Sequence, residues 1–548
     1  MKKAKISALT AAVLLLAACG DRDPGGTNND EQSGAAEVED LLTTTEPGSE
    51  GLERAVWNSP YGEHASLDPI LAFNYPENTV VSNLCESLMQ LQPDFSVEPH
   101  LASSVTVEGD RTYVLEIRDD VTFWDGTPMT PDDVVFSINR HLDPEEGSYW
   151  ASNTTENIAS VEQTDEWEVT IELHEPNVVF TNELATIVGV VVQEEHREAA
   201  GEDYGNPSEG VMCSGPYQVS EWNQGSSILL ESYEDYWRED ARALTPEVEI
   251  NFTVDAAAIS NSLATGEVHG GFDVPLSTIS QLQGADEGEL LLGEGLQNMA
   301  IISTGEGTFG DPAVRRALTR ATDRVAVAET VFEGTAWPSE SLIPAGAWEP
   351  EIAGAREDAL PDLSHDIEAA QEILEDAEAD LSEPITIAYP GERGFYADII
   401  NVIANGASEI GLTVEPVSVP SAQFGAFFSD PAAREDYDAF VTMNYLSTAD
   451  ALGKLNSIAH SEGYENYSDF SDPEIDALLE EAYATEDDEA RAELVIEAEA
   501  LVMEQQPWMN IVDLASRVYL ADGVTGPPAS FVYLYYPWAA DLGASDEG

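Results

Sequence analysis

Hydrophobic and polar positions along the chain follow two periods, and stretches of the two kinds succeed one another. RTYVLEI (111–117) and WEVTIEL (167–173) alternate apolar and polar residues, as strands with one buried face do. The stretch TPDDVVFSINRHL (130–142) has the period of a helix and begins with a Thr-Pro pair followed by acids, which suit a helix N-terminus. These patterns predict a mixed α/β protein.

Four more stretches predict amphipathic helices. Two of them, 311–332 and 472–484, begin with Asp-Pro, in which Asp can cap the helix and Pro can occupy its first turn. The other two are 367–377 and 490–506. Because 548 residues are too many for one ordinary core, we expect two or three domains.

The net charge is the abnormal feature of the composition. Acids outnumber bases 105 to 21, for a formal charge of −84, although the hydrophobic share of 43% is ordinary. We exclude nucleic acid as a partner, because the chain has no basic stripe with which to neutralise phosphates. Dense carboxylates suit a halophilic environment, since the Debye length is roughly 3 Å at 1 M salt. The alternative is acidity that serves a cationic ligand.

The N-terminus predicts export. Residues 1–18 have a basic start and an apolar run that ends in small residues, as a signal peptide does. LAAC (16–19) resembles the bacterial lipobox, in which Cys19 would be lipidated. The alternative is a plain signal peptide. We expect a lipoprotein held on the extracytoplasmic face of the membrane, with residues 19–51 as a flexible tether and the globular part starting near Leu52.

Two cysteines remain after Cys19, namely Cys85 and Cys213. An exported protein meets an oxidising compartment, so we predict that they form a disulfide. The alternative is a pair of buried free thiols.

Motifs for catalysis, metals and cofactors are missing from the sequence, and we expect none of these functions. GEGTFG (305–310) matches G-x-G-x-x-G, but Asp311-Pro312 places the helix start after the third glycine. The carboxylate of Asp311 would then occupy the place of a phosphate. We therefore interpret this stretch as a glycine-rich loop.

Five stretches, in order, resemble the family 5 extracellular solute-binding proteins, the receptors of oligopeptide, dipeptide and related ABC importers. The similarity extends from about residue 55 to 540. The stretches are SLDPILAFNYPENTVVSNLCESLMQL (66–91), EPHLASSVTVEGDRTYVLEIRDDVTFWDGTPMTPDDVVFSINR (98–140), CSGPYQVSEWNQGSSILLESYEDYWR (213–238), DPAVRRALTRATDR (311–324) and YSDFSDPEIDALLEEA (467–482).

The resemblance implies an α/β fold of the periplasmic-binding-protein type, with two lobes, a hinge between them and an extra α/β subdomain. It also implies a receptor that is not an enzyme, binds its cargo in the cleft as a monomer, and delivers the cargo to permease subunits. The expected division is a discontinuous lobe I (52–90, 206–300 and 510–545), an accessory subdomain (91–205) and lobe II (301–509).

Two segments match positions where family members contact their ligands, the turn after S-L-D-P and a segment of lobe II. By that similarity the candidate binding residues are Phe73, Asn74, Tyr75, Glu77, Asn444, Tyr445, Ser447, Asp450 and Lys454. For the aromatic residues among them the alternative is ordinary packing in the core or at the surface, and contact is favoured for Tyr75 and Tyr445.

The second segment departs from the pattern of peptide receptors, in which an aspartate that pairs with the peptide α-ammonium follows a Gly-Trp pair. Here the pair reads Asn444-Tyr445, and Ser447 or Thr448 stands nearest the place of the aspartate. Either Asp450 takes the role, or the ligand has no free α-amine. Peptide is the favoured cargo, and an oligosaccharide or another polar solute is the alternative. An exported enzyme or a sensory or adhesive lipoprotein is the alternative in a different class.

Lys454 is the sole lysine after the signal peptide. One hypothesis is that it pairs with a ligand carboxylate or neutralises Asp450 when the cleft is empty. The alternative is a surface lysine, or one that bridges to a neighbouring acid.

The acidity predicts a salt-dependent stability. Lowering NaCl from about 2 M to about 0.05 M lengthens the Debye length and strengthens repulsion among the carboxylates. We expect the melting temperature, measured by differential scanning fluorimetry, to fall. An unchanged melting temperature would contradict the halophilic interpretation.

Overall fold

The computed structural model describes residues 41–151, 154–348 and 350–545. The signal peptide (1–18), Cys19 and the first part of the tether lie outside the described residues. Export and lipidation therefore stay predictions from the sequence.

The strands of the described residues, in chain order, are β1 (Ala55–Asn58), β2 (Met89–Leu91), β3 (Val97–Pro99), β4 (Ala102–Glu108), β5 (Thr112–Ile117), β6 (Ile158–Asp165), β7 (Glu168–Leu173), β8 (Tyr217–Asn223), β9 (Ser227–Ser232), β10 (Glu247–Asn251), β11 (Gly270–Gly271), β12 (Gly288–Ser303), β13 (Ala336–Pro338), β14 (Ile385–Pro390), β15 (Val414–Val419), β16 (Ala439–Tyr445), β17 (Trp508–Ala521), β18 (Val524–Thr525) and β19 (Gly543–Ala544).

The α-helices are α1 (Tyr75–Leu84), α2 (Pro131–Leu142), α3 (Phe180–Glu183), α4 (Glu194–Ala200), α5 (Ala256–Ala264), α6 (Ile279–Gln283), α7 (Pro312–Ala321), α8 (Arg324–Thr330), α9 (Pro350–Ala359), α10 (Ile367–Leu374), α11 (Phe395–Glu409), α12 (Ser421–Phe424), α13 (Pro431–Arg434), α14 (Ala451–Ala459), α15 (Pro473–Tyr483) and α16 (Asp488–Gln505). Across the described ranges, none of the helices has both the length and the apolarity that crossing a membrane requires.

The strand order of the main sheet is β15-β14-β16-β12-β17-β11-β1-β10-β9-β8, with β13 paired to β17. Two long antiparallel strands, β12 and β17, are neighbours in the middle of this order. Their segments 288–294 and 515–521 pair with each other on the side of β11, and their segments 297–303 and 508–514 pair on the side of β16 and β13. We call these two sides the first and the second sheet half. A register shift between Glu294 and Gln297 separates them.

The local predictions largely match the observed elements. In β7 the odd positions Val169, Ile171 and Leu173 are buried, as the alternation predicted. Helix α2 begins with a capping box between Thr130 and Asp133.

Helix α7 begins at Pro312, where the Asp311 carboxylate accepts a hydrogen bond from the Ala313 backbone N–H, so the glycine-rich stretch is a loop before a capped helix.

The prediction of one helix over residues 311–332 is wrong. The stretch 311–332 forms two helices, because Thr322 is extended and the carboxylate of Asp323 caps a new helix, α8.

A separate antiparallel sheet, β4-β5-β7-β6, lies within the predicted accessory segment 91–205, and α2 packs against β6 and β7. We keep the name accessory subdomain for residues 91–205. Tyr113, Leu115 and Ile117 of β5 are buried, so this sheet has its own apolar face.

The end of the predicted tether is part of the folded body, and the predicted start near Leu52 is too late. Leu42 exchanges backbone hydrogen bonds with Leu292 and Glu294 of β12, and Glu50 accepts one from the Ala544 N–H. The Thr45 hydroxyl donates to the Pro527 carbonyl. These bonds are made by backbone and a hydroxyl, so a polar composition did not distinguish this stretch from a flexible one.

Cys85 and Cys213 form a disulfide in the structure. Next to it Glu86 is buried and accepts hydrogen bonds from the Ser214 and Tyr236 hydroxyls and the Trp237 indole, and its carboxylate also bonds the His100 ring. Burial raises the pKa of Glu86, but these partners outweigh it and hold the pKa below its ordinary value. The carboxylate therefore joins α1 to the segments around residues 100, 214 and 237.

Replacing this carboxylate will destabilise the fold. Glu86→Gln places an amide N–H₂ among groups that donate hydrogen bonds, so we expect a loss of about 2–4 kcal/mol in the free energy of unfolding, measured by urea denaturation. The matched control is Glu98→Gln, since Glu98 is exposed. Equal stability of the two variants would contradict this role of Glu86.

Candidate functional site

A cavity of about 730 Å³ lies between the accessory subdomain and the second sheet half. One wall comes from residues 149–186 of the accessory subdomain, together with Phe73 from the turn before α1. The facing wall comes from residues 444–483, which include the end of β16, helix α14 and the last turns of α15. The cavity is therefore enclosed by parts of the chain that fold around different sheets.

Six of the nine candidate residues predicted from the sequence line this cavity. They are Phe73, Asn444, Tyr445, Ser447, Asp450 and Lys454. Thr448 lines it as well.

The other three predicted residues lie in the first turn of α1 or just before it, and they have local roles. The Asn74 side chain caps the helix by accepting a hydrogen bond from the Tyr75 N–H. The Glu77 carboxylate accepts a hydrogen bond from the Ala65 N–H. Tyr75 is buried behind the cavity lining.

Aromatic contacts connect the two predicted segments to each other. The rings of Tyr75 and Tyr445 meet edge to face with centroids 5.3 Å apart, and the Tyr445 hydroxyl donates to the Phe73 carbonyl at 3.2 Å. Phe73 in turn stacks on Tyr149 of the accessory subdomain at 4.3 Å. Three of these four rings, those of Phe73, Tyr149 and Tyr445, line the cavity.

Lys454 is buried and its ammonium forms an ion pair with Glu465 on the same wall. The Ser457 hydroxyl and the Asn444 amide also donate to Glu465, and the ammonium lies 5.3 Å from the centroid of the Trp508 ring. Burial lowers the pKa of Lys454, and the Glu465 carboxylate opposes that shift. The expectation that Lys454 neutralises Asp450 is wrong. Lys454 instead bridges to Glu465, eleven residues along the chain, which agrees with the alternative of a lysine that bridges to another acid.

Asp450 is the N-cap of α14, where its Oδ1 accepts a hydrogen bond from the Gly453 N–H at 3.0 Å. Burial raises the pKa of Asp450, whereas the Gly453 hydrogen bond and the more distant charge of Arg491 lower it. The carboxylate is fixed in direction by its cap and faces the cavity without an ion-pair partner among the described residues.

Glu183, at the end of α3, is a cavity residue that the sequence analysis missed. Its carboxylate accepts only long hydrogen bonds, 3.3 and 3.4 Å, from the Asn177 amide. Burial, aided by the charge of Asp450, raises the pKa of Glu183 to about 8. One glutamate among 105 acids gave no signal in the sequence, because only its position in the fold distinguishes it.

The two walls also touch through their backbones. The Val178 N–H of the accessory subdomain donates to the Tyr483 carbonyl at 3.1 Å. In the described ranges, no group of three or more His, Cys, Asp or Glu side chains is placed to hold a metal ion. The cavity can thus enclose an organic solute between two walls that already meet at its edges.

Two sheet halves that share continuous strands, with a cavity between one of them and an added subdomain, define a two-lobed solute-binding protein. The model of the bacterial extracellular solute-binding proteins, family 5 middle, matches residues 96–466, and the chain belongs to this family. The resemblance inferred from the sequence is thereby confirmed.

Among curated proteins, the chain is similar to the glutathione-binding protein GsiB of Salmonella typhi, with 25% identity over 454 residues that cover 82% of this chain and 86% of that protein. GsiB of Escherichia coli O157:H7 is 24% identical over the same length, with the same coverage of both chains.

Among solved structures, AgaA of A. tumefaciens R10 in complex with agropinic acid has a TM-score of 0.76 and 23% identity, and the match covers 90% of this chain and 99% of that one. DppA of Helicobacter pylori with the peptide STSA has a TM-score of 0.76 and 19% identity, covering 90% and 98%. AppA of Bacillus subtilis with a nonapeptide has a TM-score of 0.75 and 20% identity, covering 91% and 100%. The predicted two-lobed α/β fold is confirmed.

The Lys454–Glu465 pair predicts a coupled response to substitution. Lys454→Met leaves a carboxylate without its cation on a buried wall, and we expect a loss of about 3–5 kcal/mol in the free energy of unfolding. Lys454→Met combined with Glu465→Gln removes both charges and should recover most of that loss. Urea denaturation of the wild type, both single variants and the double variant measures the coupling. Additive losses would contradict the pair.

Proposed function

We propose that the chain is the extracytoplasmic receptor of an ABC importer, anchored through lipid on Cys19, and that it captures a peptide-like solute in the cavity described above. The observation that carries the proposal is the enclosure of this cavity by two walls that belong to different folded parts. Membership of the family supports the receptor role. Cargo is then handed to permease subunits by a monomeric receptor.

Opening and closing of the cleft would use the two long strands as a hinge. The register shift between Glu294 and Gln297 and the adjoining left-handed residue Leu296, with φ of 41°, place a local irregularity where β12 changes partners. We place the lobe boundary there and near residues 514–515, a few residues from the expected boundaries at 300 and 510. Cargo that contacts both walls stabilises the closed form and shifts the population toward it.

Each wall offers a different kind of contact to a peptide. Tyr445, Phe73 and Tyr149 present rings for apolar side chains, and Asn444 and Ser447 present groups for hydrogen bonds to the peptide backbone. Asp450, held by its cap, is the candidate partner for an α-ammonium, in place of the aspartate that peptide receptors have earlier in this segment.

A non-peptide cargo is the second candidate. The AgaA complex holds agropinic acid, and two curated relatives are named for glutathione, so receptors of similar fold take different small solutes. The polar lining suits an oligosaccharide or another polar solute as well.

Native mass spectrometry of the full chain as purified tests the receptor role. We expect a fraction of the protein to retain a small molecule, which is released on denaturation and is identified by its mass and fragmentation. Isothermal titration calorimetry with trialanine, N-acetyl-trialanine and maltotriose then separates peptide from sugar. Absence of retained cargo together with no heat from any of these probes would contradict the proposal.

Asp450→Asn tests the ammonium contact. Asparagine keeps the N-cap hydrogen bond but removes the charge, so we expect the Kd for trialanine to rise at least tenfold while the Kd for N-acetyl-trialanine stays unchanged. The matched control is Asp472→Asn, at the N-cap of α15 outside the cavity lining. Equal effects of the two substitutions would show that Asp450 acts through the helix cap alone.

A further inference from the structure

The charges that line the cavity do not balance. Seven Asp and Glu side chains line it, together with the single ammonium of Lys454 and the imidazoles of His174 and His460, and none of the described lining residues is an arginine. A zwitterionic cargo would need a cation for its carboxylate and an anion for its ammonium. The lining supplies anions in excess.

The one ammonium is not available to cargo. Lys454 is paired with Glu465, which is held further by Ser457 and Asn444. Moving the ammonium to a ligand carboxylate would leave Glu465 buried without its cation, which costs several kcal/mol. The cavity therefore offers no uncommitted lysine or arginine from the described residues to an anionic group.

Glu183 and Asp450 face the cavity from its two opposite walls. Among the described residues, the Glu183 carboxylate accepts long hydrogen bonds from Asn177, and the Asp450 carboxylate is held by its helix cap. The titratable groups that interact with Glu183 are Asp450 from the facing wall, Tyr483 from α15 and Tyr113 from β5, and each of these is neutral or negative. The charge of Arg491 acts on Asp450. A positive charge placed between the two side chains would favour their ionised forms and replace water that burial has removed.

Aromatic rings line the cavity as well, and Tyr483 interacts with both carboxyl groups. Tyr149, Tyr445 and Tyr483 line the same cavity, and aromatic faces attract ammonium and guanidinium groups. Carboxylates and rings together form a lining that suits an organic cation of small size.

We propose that the cavity selects cargo with a net positive charge, and that Glu183 of the accessory subdomain, together with Asp450, receives a cationic group such as a lysine or arginine side chain or a second amine. This inference rests on the proposed receptor function and deepens it, because it names the class of cargo. It also replaces the hypothesis that Lys454 pairs with a ligand carboxylate.

The general acidity of the chain does not account for this arrangement. Exposed carboxylates are screened over a few ångströms in strong salt, whereas Glu183 and Asp450 are enclosed and are screened much less. Ionising Glu183 beside Asp450 therefore stays costly in the salt that would relax the protein surface, unless a cation binds.

Calorimetric titration of the full chain with three tripeptides tests the proposal, at constant ionic strength. The probes are trilysine, trinorleucine, whose side chains are similar in length but neutral, and triglutamate. We expect trilysine to bind at least tenfold more tightly than trinorleucine and triglutamate to give no binding. Equal affinity for trilysine and trinorleucine overturns the charge selection while the receptor function stands. Absence of binding by every probe, with no cargo retained on purification, overturns both.

Variants at position 183 assign the effect to one residue. Glu183→Gln keeps the size of the side chain and its acceptor oxygen, and should weaken trilysine at least tenfold with little effect on trinorleucine. Glu183→Lys should reverse the preference in favour of triglutamate. Glu162→Gln, an exposed acid on β6 of the same subdomain, is the matched control and should leave all three affinities unchanged. Loss of trinorleucine binding equal to that of trilysine in Glu183→Gln overturns the role of Glu183.

Proton release supplies a readout that a purely structural role would not change. With its pKa raised to about 8, Glu183 is mostly protonated at about pH 7 in the empty cavity, and a bound cation favours the ionised form. Binding of trilysine should then release up to about one proton, seen as a dependence of the binding enthalpy on the ionisation enthalpy of the buffer. The release should disappear in Glu183→Gln and persist in Glu162→Gln. A wild-type enthalpy that does not depend on the buffer would overturn the proposal.

Discussion

The pairing of β12 with β17 is the constraint on which the rest of the structure depends. These antiparallel strands contribute segments 288–294 and 515–521 to the first sheet half and segments 297–303 and 508–514 to the second. The same hydrogen-bonded ladder therefore belongs to both halves. The cavity follows from this arrangement, because α14 and α15 follow β16 beside the second half, and the accessory subdomain reaches over them. The ladder is interrupted by register shifts between Glu294 and Gln297 and between Met299 and Ala300, and the first of these lies where β12 changes partners.

Burial and hydrogen-bond partners determine how the pKa of each carboxyl group shifts in this protein. Most of its carboxylates are exposed, and in strong salt they are a solvated surface. Glu86, Glu183 and Asp450 are enclosed, and each has a different outcome: Glu86 is satisfied by four partners, Asp450 caps a helix, and Glu183 has only two long hydrogen bonds. The pKa of Glu86 falls and the pKa values of the other two rise, in keeping with the partners each has. The last two face the cavity, which is why we connect them with cargo.

Much of the local structure could be predicted from the sequence. Alternation identified β5 and β7, and Thr-Pro and Asp-Pro pairs identified the starts of α2, α7 and α15 to the residue, because a cap and a proline act on the backbone next to them. The break at Thr322 was missed, since an apolar period continues across it. The folded stretch 41–51 was missed because its bonds are made with backbone far away in the chain.

By itself the sequence determined the α/β class, the family through its ordered motifs, and six residues of the cavity lining, because these depend on local period, capping and similarity along the chain. Tertiary structure alone decided which charges meet. Lys454 pairs with Glu465 and not with Asp450, and Glu183 comes within range of Asp450 from a segment more than 260 positions away. Electrostatic energy depends on distance in space and on burial, and neither quantity can be obtained from the order of residues in so acidic a chain.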